Sequence, residues 1–193
     1  MAAIDRVHGD GDLPTIPILL VPHLLDDRGR TRDAVFVYHR LDPSQPFIAS
    51  IIFVRSSAAH RPFVATHEIG HFLDLCGLPG STFASSEEPA LAEWRKSVIE
   101  SSAYRSLGTL TRSLDATVAN RANELTVLEE LWARSYAQFV ATRSGSLPMQ
   151  RTLAALRHRD PHTLYYPRQW DDDDFVAVEA ALDNLFRGLG WIA

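Results

Sequence analysis

The chain of 193 residues suits one domain, and its 46% hydrophobic and 22% charged residues are an ordinary globular composition. A net charge of −5 argues against a general nucleic-acid binder, and no apolar run is long enough for a bilayer; the longest early one, residues 16–25, is broken by Pro17 and Pro22. Asp5, Asp10 and Asp12 stand where a signal peptide needs basic residues, and the single cysteine, Cys76, can form no intrachain disulfide, so the expected setting is reducing and cytoplasmic.

Residues 1–13, with Gly9, Gly11 and their three aspartates, are expected to fray. Residues 15–21 read as a strand that Pro17 confines to an edge or a strand start. Residues 34–40 (Ala-Val-Phe-Val-Tyr-His-Arg) are a β-branched and aromatic second strand, followed by a turn signal at Asp42-Pro43-Ser44. Residues 47–55 (Phe-Ile-Ala-Ser-Ile-Ile-Phe-Val-Arg) are the strongest strand signal. Then comes a helix with Pro62 near its start and Gly77 and Pro79 at its end. Ser85-x-x-Glu88 reads as a capping box opening a helix to about Leu107, stopped by Gly108. Residues 118–140 read as one long helix, or as a turn followed by a helix from near Thr126. Residues 153–158 belong to a further helix and residues 160–170 to a loop, and Asp171 to Asp174 open a last helix to about Leu189. A sheet followed by helices makes the fold class α+β, as one domain.

The first helix carries His67-Glu68-Ile69-Gly70-His71. Helix residues four apart share a face, so His67 and His71 can hold one metal ion, and Glu68 beside them can act on a water there without being a ligand. A catalytic zinc site takes three protein ligands and leaves a position for water. No histidine follows His71 at the spacing of a His-x-x-Gly-x-x-His continuation, which leaves a later carboxylate. Glu129 falls on the stripe of Leu125, Trp132 and Tyr136, yet Thr126-x-x-Glu129 would also be a capping box. Glu130 shares its face with Ala133 and Ala137, small residues that would let two helices approach closely.

His67-Glu68-Ile69-Gly70-His71 followed by a helix reading Glu-x-x-Ala resembles the gluzincin metallopeptidases, and more closely the anthrax lethal-factor-like and phage-associated zincin domains. Glu130-Leu131-Trp132-Ala133-Arg134-Ser135-Tyr136 is similar to their second-helix pattern: Glu, two bulky apolar residues, Ala, a charged residue, a small residue, an aromatic. The two segments lie about sixty residues apart, in the family's order. The resemblance implies a zincin fold, Zn²⁺ held by His67, His71 and Glu130, and Glu68 as general base in peptide-bond hydrolysis. The tyrosine that family places shortly before the glutamate is absent, since residues 122–128 contain no aromatic.

Asp74, three residues after His71, is a candidate to accept that histidine's second ring N–H. His158, His162, Tyr165 and Tyr166 are candidate oxyanion donors, although each singly reads more simply as part of a polar surface loop. His23, His39 and His60 read as ordinary sheet-side histidines, and Cys76 as a buried structural cysteine off the His67/His71 face. The four aspartates from Asp171 lack the alternation of a calcium loop.

The sequence thus predicts a zinc metallopeptidase acting on proteins or peptides, with no nucleic-acid or membrane partner. Residues 47–55 are the expected sheet edge on which an extended substrate would pair. The alternative is a zincin-fold metal-binding module, regulatory or interactive, with little turnover. Two histidines and a carboxylate also suit non-haem iron; the adjacent Glu68 favours zinc.

Overall fold

The computed structural model describes residues 2–40, 42, 47–79, 82–158 and 162–192. In chain order these form α1 (Ala2–His8), β1 (Ile18–Val21), β2 (Ala34–His39), β3 (Ile48–Arg55) and α2 (Arg61–Phe72). A π-helical turn (Leu73–Gly77), α3 (Ala84–Glu87), a 3₁₀ turn (Pro89–Leu91), α4 (Ala92–Ile99) and α5 (Ser102–Leu110) follow. The rest is α6 (Ala116–Thr126), α7 (Leu128–Arg143), α8 (Leu147–Arg157) and α9 (Asp172–Gly188). The class is α+β. No described helix is long and apolar enough to cross a membrane.

The sheet order is β1-β3-β2, with β1 parallel to β3 and β2 antiparallel to it. This corrects the expectation that residues 47–55 form an edge: β3 is the central strand, with both sides of its backbone paired. Its Ile52 and Val54 are almost wholly buried, so the strongest strand signal marks the most enclosed position. The open edges belong to β1 and β2. Of the turn expected at Asp42-Pro43-Ser44, the last two residues lie outside the described residues, as do the first two of the loop 160–170.

Residues 2–8 do not fray but form α1. Ile4 enters the core, and the His8 ring bridges the Trp191 carbonyl (3.0 Å from Nδ1) and the Tyr136 hydroxyl (3.1 Å from Nε2). Gly11 lets the chain pass the C-terminal segment: a Cβ there would lie 2.4 Å from the Trp191 carbonyl oxygen. Tertiary contact supplies what local polarity withholds.

The helix expected over residues 85–107 is broken twice. Glu88, ahead of Pro89, is extended (ψ 120°), as the residue before proline tends to be, and its Oε1 accepts from Ala90 N (3.3 Å). Ser101 is extended too (ψ 151°), and its Oγ caps α5 at Tyr104 N (3.2 Å). Gly108 lies inside α5 rather than stopping it. Residues 118–140 split at Val127, extended with ψ 136°, and Thr126 donates back to the Asn123 carbonyl instead of capping α7. Asp174 does cap, but at another helix: its carboxylate accepts from Ser102 N (2.7 Å) and Ala103 N (3.0 Å) at the start of α5.

One hydrophobic cluster runs from Ile4 to Ile192, and α7 passes through it. Every α7 residue from Leu131 to Ala141 is buried. A helix enclosed on all sides must satisfy its polar groups internally, and it does. Ser135 accepts from Trp94 Nε1 (2.9 Å), and the Gln138 amide exchanges two hydrogen bonds with the Trp170 backbone, both 3.0 Å.

Candidate metal centre

The centre lies where α2 meets α7. Pro62 sits in the first turn of α2, and Phe63, Thr66, Ile69, Gly70 and Phe72 form its buried face. Ile69 and Gly70, between the two histidines, turn inward, while His67 and His71 stay about one-fifth exposed (side chains 20% and 21%). The closeness of the two helices depends on Gly70. A Cβ there would meet the Ala133 Cα at 2.7 Å. The Trp132 indole N–H donates to the Gly70 carbonyl at 2.9 Å, fixing the register of the crossing. Backbone contact at Gly70 and Ala133 carries Glu130, one turn before Ala133, over the histidine pair.

Three ligand atoms converge there. His67 Nε2 and His71 Nε2 are 3.2 Å apart, and Glu130 Oε2 lies 3.5 Å from the first and 3.7 Å from the second. Ligands held at about 2.0–2.1 Å around a tetrahedral zinc are separated by about 3.3 Å. The triangle fits that spacing. It is the one group of three or more His, Cys, Asp or Glu with metal-binding geometry among the described residues. With the ring protons on Nδ1, each Nε2 turns a lone pair toward the other and toward the carboxylate, an arrangement that repels unless a cation or a proton sits among them. Burial opposes charge on His67, but the Glu130 carboxylate outweighs it and raises the imidazole pKa above its ordinary value. Burial likewise opposes charge on Glu130, but the two histidines hold its carboxyl well below the usual carboxylate range.

Glu68 is anchored from the sheet. Its Oε2 accepts the Phe36 backbone N–H at 2.8 Å. Asp33 turns its carbonyl to Arg55 on β3, so the alternation along β2 leaves Phe36 N–H on the open edge. Glu68 Oε1 has no hydrogen-bond partner among the described residues. The cleft around His67, His71, Glu68 and Glu130 has one wall of Val35, Phe36, Tyr38 and Phe83. Along its other reach stand Arg32, Arg121 and Leu125.

Glu129 is outside the ligand group. Its Oε1 accepts from Ser86 Oγ (3.1 Å), although the residue borders the cleft near His71. Asp74 corrects an expectation. It makes no hydrogen bond to His71; its Oδ1 takes Ser85 N (2.6 Å) and its Oδ2 takes Ser85 Oγ (2.7 Å). The chain leaves α geometry at Leu73, so a three-residue offset no longer keeps Asp74 under His71. Burial raises the Asp74 carboxyl to about 7, against the Ser85 hydrogen bonds that oppose it and with the Glu129 charge that adds to it.

The cleft lining, among the described residues, includes none of His158, His162, Tyr165 and Tyr166. Tyr165 lines a small hollow with Ser102 and Asp174 instead. His39 Nδ1 meets Ser50 Oγ (2.8 Å) and His60 Nδ1 meets Thr152 Oγ1 (3.1 Å), both outside the ligand group. Cys76 is half-buried with its sulfur 3.9 Å from the Phe47 carbonyl, and burial pushes its thiol pKa up.

Arg134 enters the sequence reading only as the charged residue of the second-helix pattern. It is fully buried and donates to three main-chain carbonyls: Arg168 (2.6 Å), Leu125 (2.9 Å) and Pro167 (2.6 Å). Its guanidinium also lies 5.1 Å over the Trp170 ring. Arg134 thus ties the loop before α9 and the end of α6 to the helix that bears Glu130. Its place in the apolar stripe of α7, one turn after Glu130, was the available signal.

Compared with known protein families, curated proteins and solved structures, the chain matches none.

Proposed function

We propose that this protein is a zinc-dependent hydrolase of peptide bonds with a zincin-like site: His67, His71 and Glu130 as ligands and Glu68 as general base. The observation that carries this reading is the convergence of three ligand atoms at 3.2–3.7 Å, with Glu68 anchored on the same cleft. Zinc bound there would supply a Lewis acid that polarises the substrate carbonyl and acidifies water. Glu68 Oε1 takes the proton of the attacking water and delivers it to the leaving amine, while the Phe36 N–H holds Oε2 and fixes the carboxylate's orientation. Tyr38 and Arg32, which line the cleft, offer an O–H and N–H groups to a developing oxyanion. The open edge of β2, not β3, is the backbone on which an extended peptide would pair.

The second reading is a metal-binding module without turnover. It is favoured by the absence of His158, His162, Tyr165 and Tyr166 from the cleft lining among the described residues. One series separates the two. Elemental analysis of wild type, His71→Ala, Glu129→Gln and Glu130→Gln is expected to give one zinc per wild-type chain, lost in His71→Ala and weakened in Glu130→Gln alone. Glu68→Gln is expected to keep the zinc and lose cleavage of a mixed quenched-peptide library. Zinc without any wild-type cleavage points to the binding module, and no zinc after reconstitution removes both readings.

A further inference from the structure

Beside His67 and Glu130 the cleft continues into a hollow of about 180 Å³. Its apolar side is Phe63, Val64, Leu125 and Leu156, and its polar side carries Arg121, Arg134 and Arg168. We propose that this hollow is a carboxylate-binding subsite, so that the preferred substrate presents an anionic group beside the bond to be cut. The proposal rests on the peptidase reading and names its substrate class.

The argument is one of uncompensated charge. Arg134 is buried, and its partners are neutral carbonyls; it has no ion pair within 4.0 Å among the described residues. Burial lowers its pKa only to about 10, so the charge persists at neutral pH. Glu130 is the carboxylate whose field it feels, and Arg121 and Arg168 stand close enough to repel it. A metal ion at the ligand triangle would engage the charge of Glu130 and bring more positive charge, leaving the hollow with a cationic excess. The other two arginines are free to answer a ligand. Arg168 is an exposed residue that makes no ion pair among the described residues, while Arg121 holds only Glu124 at 2.7 Å in a pair whose members are 45% and 66% exposed. Such exposed pairs contribute little and yield readily to a better partner. Two acids of the adjoining reach are already engaged, Asp26 with Arg30 and Arg32 and Asp33 with Arg55. A carboxylate is the group that bidentate guanidinium donors fit, and the apolar side suits the methylenes of an acidic side chain.

The carboxylate has two sources, an Asp or Glu side chain and a free C-terminus. Zinc-loaded wild type and the double variant R121Q/R168Q would be titrated at low salt with three probes, followed by NMR shifts: N-acetylglutamate α-amide, N-acetylalanine and N-acetylglutamine α-amide. At least tenfold tighter binding of one carboxylate probe than of the glutamine amide is expected in wild type. The preference should vanish in R121Q/R168Q, with zinc content and melting temperature unchanged. The winning probe identifies the source. Equal binding of all three, or a preference surviving in R121Q/R168Q because the metal alone holds the carboxylate, overturns the subsite. A library cleaved without regard to acidic residues also overturns it and leaves the hydrolase standing. Arginine-dependent binding without any cleavage does the reverse.

Discussion

Glu130 and Asp74 are two carboxylates close to the helix that bears His67 and His71, and their surroundings drive them in opposite directions. Glu130 keeps 30% of its side chain exposed and faces two imidazoles, which stabilise its charge. Asp74 is fully buried, faces the backbone and hydroxyl of Ser85, and feels the like charge of Glu129. The first is poised to bind a cation. The second is a structural clasp between the π turn after α2 and the start of α3. Spacing along the chain offered Glu130 to the metal and Asp74 to the His71 ring; what each oxygen faces decides what each does.

The contrast is sharpest at the metal. Glu130→Gln is expected to weaken zinc at least a hundredfold, about 3 kcal/mol or more, whereas Glu129→Gln and Asp74→Asn should stay within about threefold, read by chelator competition. Equal losses in all three would erase the distinction.

Stability against pH reads the other carboxylate. The folded-state pKa of Asp74, about 7, lies above its ordinary 3.8. Its protonated form therefore adds stability in full below about 3.8, and that stability is lost as pH rises through about 7. Between pH 5 and pH 8 wild type should lose about 2–3 kcal/mol relative to Asp74→Asn, which can keep an oxygen for Ser85 N. Chemical denaturation of the metal-free proteins at both pH values checks this, and parallel curves would contradict it.

Gly70→Ala tests whether backbone contact positions Glu130. The added methyl must push Ala133 away, which is expected to cost about 1–3 kcal/mol of stability and to weaken zinc about tenfold, more than the same change at Gly108, where a Cβ would meet nothing within 4 Å. The smallest effect is expected at Val127, the half-exposed residue that opens α7 without a side-chain cap. Val127→Ser should add about 0.5–1 kcal/mol with zinc affinity unchanged, measured by thermal melts.

Much of the site was legible locally. A four-residue offset on a helix brings His67 and His71 together whatever surrounds them, and Pro62 and the strand patterns needed only local rules. Ala133 and Ala137 announced a close helix contact, and the structure places Ala133 against Gly70. Asp74 misled because the helix widens one residue after Phe72, and nothing in Leu-Asp-Leu-Cys-Gly signals a π turn. The capping boxes at Ser85 and Thr126 misled because their hydroxyls found other partners, one of them the distant Asp74. Residues 2–8 are held by distant partners: Ile4 by the core, Arg6 by the Ser144 carbonyl and His8 by Trp191 and Tyr136.

By itself, then, the sequence determined the α+β class, the paired histidines with their neighbouring glutamate, and a short choice of third carboxylates. Those follow from periodicity and spacing, which act over a few residues. The tertiary structure alone decided that β3 is central, that Asp74 clasps Ser85, and that Arg134 is a buried cation. Each of these depends on which distant backbone comes within hydrogen-bonding or van der Waals distance, and local spacing carries no record of that.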